Sequence, residues 1–166
     1  MTEKTSTAPF HLPKDGGQAL WHLGALVTYK ATSADTGEQF WLQEAYGARG
    51  YASPFHRHSL EDEGFYVLDG SVSIYVGDDV TLATPGSFLW APRDIVHAFC
   101  VESETAKFLA FSTGGKFDQF FFDTGEPAAS LTIPPPPEGE PDVPRLAAAM
   151  AEYGVEMVGP PPAPRT

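Results

Sequence analysis

Eight short runs rich in β-branched and aromatic residues dominate the chain: Leu20–Thr32, Gln39–Tyr46, Gly64–Leu68, Ser71–Val76, Val80–Ala83, Ser87–Trp90, Val96–Val101 and Lys107–Ser112. Each is bounded by Gly, Pro or Asp, and turn signals recur about every eight to twelve residues. Runs this short, with no helical period between them, predict an all-β sandwich or barrel. Asp69-Gly70 and Gly77-Asp78-Asp79 suit the positive φ angles of tight hairpin turns, which predicts strand pairing across each. Thr84-Pro85-Gly86 and Ala91-Pro92-Arg93-Asp94 mark further corners.

The 166 residues, 42% hydrophobic and 13% aromatic, suffice for one domain with its own core. The 10 Lys and Arg stand against 22 Asp and Glu, for a formal charge of −12. The cations are scattered singly, so no basic stripe exists for phosphates; neither nucleic acid nor a membrane surface is expected as a partner. A lone cysteine, Cys100, cannot close an intrachain disulfide or build a cysteine zinc site, and reads as a core thiol. The first residues lack the charged-then-apolar layout of a signal peptide, and no apolar stretch approaches the roughly 18 residues of a membrane span. A cytoplasmic protein is expected.

Residues 1–19 read as an N-terminal arm, 20–125 as the β-body, and 126–166 as a Pro-rich linker, a short helix and a tail. Phe117-Asp118-Gln119-Phe120-Phe121-Phe122 suits one helical turn, its aromatics either sealing an open barrel end or forming a substrate lid. Pro134 to Pro137 suits polyproline II geometry, as a semi-rigid strap or a ligand for an SH3-type domain. Beyond it, Asp142 can cap a helix, Pro144 suits its first turn, Arg145 to Tyr153 continue it and Gly154 stops it. Leu146, Ala149, Met150 and Tyr153 then share a face that packs on the body. The tail from Gly159 is expected to be loose.

Two of the five histidines, His56 and His58, lie two apart in Pro54-Phe55-His56-Arg57-His58. In an extended chain both imidazoles project to the same face, forming a chelate, while Arg57 points away. Glu63 opens the next strand, and His97 follows the turn after Pro92. Three imidazoles and one carboxylate suit a divalent first-row metal. The acidic run Glu61-Asp62-Glu63 that holds this glutamate would ordinarily be a solvated turn, and His11 and His22 read as structural or exposed.

The spacing of these residues resembles the cupin superfamily. Its first motif, Gly, five residues, His-x-His, three or four residues, Glu, six residues, Gly, is met at every fixed position by Gly50, His56, His58, Glu63 and Gly70. Its second, Gly, five residues, Pro-x-Gly, two residues, His, three residues, Asn, is met at Gly86, Pro92 and His97. Asp94 replaces the second Gly and Val101 the Asn, one a turn residue and the other a non-ligand. The resemblance covers about residues 20–125 and implies a double-stranded β-helix, a jelly-roll barrel, with the short helix appended. The segments from Gly114 to Phe121 and from Glu152 to Pro161 look like small bacterial cupins similar to quercetin 2,3-dioxygenase.

That resemblance implies one divalent metal per chain (Ni, Fe, Mn, Zn, Cu or Co) held by His56, His58, Glu63 and His97. It implies a small aromatic or enolic substrate bound as its anion, dioxygen as co-substrate, Glu63 as the proton acceptor, and a homodimer paired through edge strands. Non-oxidative isomerase or cyclase chemistry on a polyketide or similar enol, with the metal as Lewis acid, and non-catalytic binding of a small molecule remain open. Phe40, Trp41, Phe55, Phe65, Tyr75, Phe88, Trp90, Phe99 and Phe111 are candidates for the cavity wall, divided between two faces by alternation.

Overall fold

A computed structural model describes residues 8–166; residues 1–7 of the expected arm lie outside the described residues. The strands are β1 (Gln18–His22), β2 (Ala25–Ala31), β3 (Phe40–Ala48), β4 (Phe55–His58), β5 (Asp62–Asp69), β6 (Val72–Val76), β7 (Asp79–Ala83), β8 (Phe88–Ala91), β9 (His97–Val101) and β10 (Thr105–Thr113). Helix α1 (Asp118–Thr124), the short β11 (Glu126–Pro127), helix α2 (Val143–Glu152) and β12 (Val155–Gly159) complete the chain. They form two antiparallel sheets, ordered β11-β1-β2-β3-β10-β5-β8 and β12-β4-β9-β6-β7. This is the all-β double-sheet architecture expected of a cupin barrel, with the C-terminal helix in place. Neither helix is long and apolar enough to cross a membrane.

Strict alternation builds the core. Along β3 and β10 every second side chain is buried, so Trp41, Gln43 and Ala45 face inward beside Ala106, Phe108, Ala110 and Ser112. They meet Val27, Tyr29, Phe65 and Val67 of their own sheet and Val72, Ile74 and Val101 of the other. Burying a side chain of this kind contributes about 1.5–3 kcal/mol, and the inner row is continuous across both sheets.

The run Leu20–Thr32 is two strands rather than one. Leu23 and Gly24, with φ of 47° and 86°, form a two-residue loop that closes β1 on β2. The Gly77 turn joins β6 to β7 as a hairpin, with Val76 opposite Asp79. Asp69-Gly70 does not make a hairpin: β5 and β6 belong to different sheets, and β6 pairs with β9 and β7. The physical reason lies at Gly70, where a Cβ would sit 2.3 Å from the Thr105 carbonyl oxygen. The chain passes against the start of β10 there and turns into the second sheet.

Helix α2 begins as expected. Asp142 accepts from the Arg145 N–H, Pro144 lies in the first turn, and Met150 is buried while Leu146, Ala149 and Tyr153 pack on the core. The segment beyond Gly154, which carries too few β-branched residues to signal a strand, is nonetheless extended: β12 pairs along β4, with Val155 opposite His58 and Met157 opposite His56. Arg57 and Glu156 form an outward ion pair at 2.7 Å across the same two strands. Nor is the tail loose, because the Arg165 N–H donates to Glu102 and its carbonyl accepts from Arg49. Segment 126–166 thus adds a strand to each sheet.

The two glycine turns separate conformational strain from crowding. Gly24 has open space around a hypothetical Cβ, whereas Gly70 faces a backbone carbonyl. Gly24→Ala is expected to lower stability by about 1 kcal/mol and Gly70→Ala by about 3 kcal/mol or more, measured by urea unfolding. Equal losses would contradict the crowding at the sheet crossover.

Candidate metal centre

His56 and His58 occupy alternate positions of β4, so both rings enter the barrel, and His97 at the start of β9 stands directly opposite His56. Glu63 comes from the facing sheet, on β5, between Ser112 of β10 and Ala91 of β8. The four side chains are buried, and one ligand atom from each lies within 4.8 Å of all the others. Glu63 Oε2 is 2.9 Å from His97 Nε2, 3.3 Å from His58 Nε2 and 3.9 Å from His56 Nε2. Ligands about 2.1 Å from a common ion would stand roughly 3.0–3.4 Å apart along an edge and about 4.2 Å apart across it, so this cluster needs little adjustment.

The corner before His97 is tied down from two sides. Asp94, where the cupin pattern has Gly, adopts φ 65° and donates its N–H to the His58 carbonyl at 2.7 Å. Aspartate tolerates this left-handed region, so the substitution keeps the turn. Arg93 holds Asp62 through its backbone N–H and its guanidinium, and these bonds pull the Asp62 carboxyl down to about 2. The corner is thereby fixed to the strand that carries Glu63.

Each histidine is also held from behind. His56 Nδ1 meets the Pro54 carbonyl at 2.7 Å and His97 Nδ1 the Ile95 carbonyl at 2.9 Å, so both are donors at Nδ1 and present Nε2 to the cluster. His58 Nδ1 instead meets a carboxylate, Glu61 Oε1, at 3.0 Å. Glu61 is 1% exposed and also accepts from Trp41 Nε1 at 3.3 Å. The expectation of a solvated turn fails here: Leu60 points out at 58% exposure, and Glu61 turns in beneath the site. Sequence reasoning missed it because no motif position falls on residue 61.

Burial, then the neighbouring His97 and His58, push His56 down to about 3, so it is neutral and ready to ligate. Burial opposes a charge on His58 as well, but its contacts with Glu61 and Glu63 outweigh it and raise the group to about 9. Burial alone would raise Glu63; His58 and His97 reverse that and hold it well below the usual carboxylate range. Glu61 is raised by burial, partly offset by His58 and Trp41. His58 Nε2 is buried and makes no hydrogen bond. A buried nitrogen without a partner, facing two imidazoles and a carboxylate, fits a metal ion of nitrogen and oxygen preference.

The cluster opens into a cavity that His56 and Glu63 line. Its wall is largely apolar. Of the expected aromatics only Phe65 and Phe99 line it. Trp41 is in the core beneath Glu61, Phe55 packs on Tyr75, and Phe40, Phe111, Phe88 and Trp90 pack in a chain that ends in exposed Phe88 and Trp90. The cavity takes instead Phe117, Phe120 and Phe121 of the α1 region and Leu146 and Met150 of α2. His22 also lines it, buried and lowered to about 4 by that burial, with Nε2 on the Thr124 hydroxyl.

Fold and site together define a jelly-roll protein with a buried cluster of three histidines and one glutamate that could hold a metal ion. Residues 44–112 match the family model described as the cupin domain. The chain is similar to quercetin 2,3-dioxygenase of Bacillus subtilis, 27% identical over 130 residues; the match takes in 78% of this chain but only 39% of that relative's length. Among solved structures, KdgF from Halomonas sp. superposes with a TM-score of 0.59 at 16% identity, over 68% of this chain and 99% of that one. The polyketide cyclase RemF from Streptomyces resistomycificus gives 0.53 at 24% identity, over 64% and 80%. These structural likenesses concern the fold.

The protonation pattern sets the pH response of the site. Without a metal, His58 keeps its proton up to about pH 9, and an ion needs its Nε2 lone pair. Binding at neutral pH therefore displaces a proton, and the affinity for Zn²⁺ is expected to rise about tenfold per pH unit until near pH 9 and then flatten. Competition with a chelator, corrected for the chelator's own protonation, measures this. Affinity unchanged between about pH 7 and 9 would contradict the proton held by His58.

Proposed function

We propose that the protein is a metal-dependent dioxygenase that acts on a flavonol, quercetin-like, or a related aromatic enol, bound at the metal centre as its anion. The observation that carries this is the meeting of a buried three-histidine, one-glutamate set with an aromatic-walled cavity. Similarity to the Bacillus subtilis quercetin 2,3-dioxygenase supports the choice of substrate class. When bound, a divalent metal would lower the pKa of an enolic hydroxyl and hold the resulting anion.

The remaining work falls to the chain's own residues. Glu63 accepts the hydroxyl proton at a carboxylate oxygen; that it lines the cavity supports this role. No Lys or Arg lines the cavity among the described residues, so an anion entering from outside would find no counter-charge. Transfer of the proton to Glu63 keeps the total charge of the buried site constant and removes that difficulty. Phe65, Phe99, Phe117 and Phe120 offer rings against which a flat substrate packs, and with Leu146 and Met150 they exclude water. Gln43 lines the same cavity with a buried Oε1 that has no hydrogen-bond partner, and it supplies a polar contact for a substrate hydroxyl.

Metal-reconstituted wild type is expected to consume oxygen with a flavonol in an oxygen electrode. Glu63→Gln, with its metal content measured, is expected to lose about 100-fold or more in kcat. A Glu63→Gln protein that holds metal and turns over normally would remove Glu63 as the base. Substrate conversion without oxygen uptake would favour isomerase or cyclase chemistry, and tight binding of unchanged ligand would favour a binding protein.

A further inference from the structure

His58 differs from the other two imidazoles in what lies behind it. His56 and His97 each donate Nδ1–H to a neutral backbone carbonyl two residues earlier, whereas His58 faces the carboxylate of Glu61. The Glu61–His58 pair is closed off from solvent, each residue being 1% exposed. Glu61 sits behind the ring, outside the set of convergent ligand atoms, so it is not itself a ligand. Its other oxygen accepts from Trp41 Nε1 and occupies the space that a Cβ at Gly115 would fill. Gly115 also has φ 75°, so both its conformation and its missing side chain make room for this carboxylate.

We propose that Glu61 is a positioning residue of the metal centre, fixing His58 with Nδ1 protonated and Nε2 turned to the ion. A carboxylate behind a ligating histidine orients the ring and raises its basicity. The inference rests on the metal site and is independent of which reaction the site performs.

The test uses the full chain loaded with Zn²⁺ and labelled with ¹⁵N-histidine. In wild type, His58 is expected to show a coordinated Nε2 and a strongly hydrogen-bonded Nδ1–H at low field. Glu61→Gln, which keeps the shape without the charge, is expected to weaken Zn²⁺ binding about tenfold, and Glu61→Ala by up to about 100-fold. In both, the His58 Nδ1–H signal moves upfield while those of His56 and His97 stay. Folded variants that bind Zn²⁺ as tightly as wild type would overturn the proposal. So would a wild-type spectrum with His58 coordinated through Nδ1, a result that needs no variant to fold. Wild type that takes up no Zn²⁺ or other divalent ion would overturn the metal site itself, a failure distinct from loss of the Glu61 effect.

Discussion

Three imidazoles and two carboxylates meet in the dry seam between two β-sheets, and their mutual compensation constrains everything around them. An isolated carboxylate transferred from water to such a place costs several kcal/mol, and removing one partner of a buried pair commonly costs about 3–5 kcal/mol. Here each imidazole has a backbone carbonyl or a carboxylate behind it, Glu61 has an indole N–H as well, and Glu63 faces the three imidazoles. Glu61 and Trp41 behind the site are as buried as the residues that form it.

That constraint explains the division of labour between the sheets. One sheet brings the three histidines from adjacent strands β4 and β9, and the other brings the glutamate from β5. Because the ligands belong to different sheets, the site depends on how the two sheets pack. The Arg93–Asp62 contact and the Asp94–His58 backbone bond join them at the corner where His97 begins. At the other flank, β12 lies in register on β4, and α2 before it extends over the cavity. The segment that pairs with the strand bearing His56 and His58 therefore also walls the space in front of it.

Much of this was legible in the chain. The spacing of His56, His58, Glu63 and His97 depends on strand alternation and on motif lengths, both of which are local, and the helix at Val143–Glu152 announced itself through Asp142 and Pro144. Sheet assignment was less accessible, because Asp69-Gly70 is as suitable for a corner between sheets as for a hairpin. Which of the two it makes is decided by the distant Thr105 carbonyl. Glu61 was hidden for a related reason: in sequence it sits in an acidic run, and only the packing of Trp41 and Gly115 turns it inward. The cavity wall likewise draws on Phe117, Phe120 and Met150, brought over the site by helices whose placement no periodicity encodes.

X-ray absorption of the protein loaded with one equivalent of Co²⁺ or Zn²⁺ addresses the convergence of these side chains most directly. The expected spectrum shows a single site with three imidazole nitrogens and at least one oxygen at about 2.0–2.2 Å. Two or fewer imidazoles, or an ion spread over carboxylates elsewhere on this acidic chain, would contradict it.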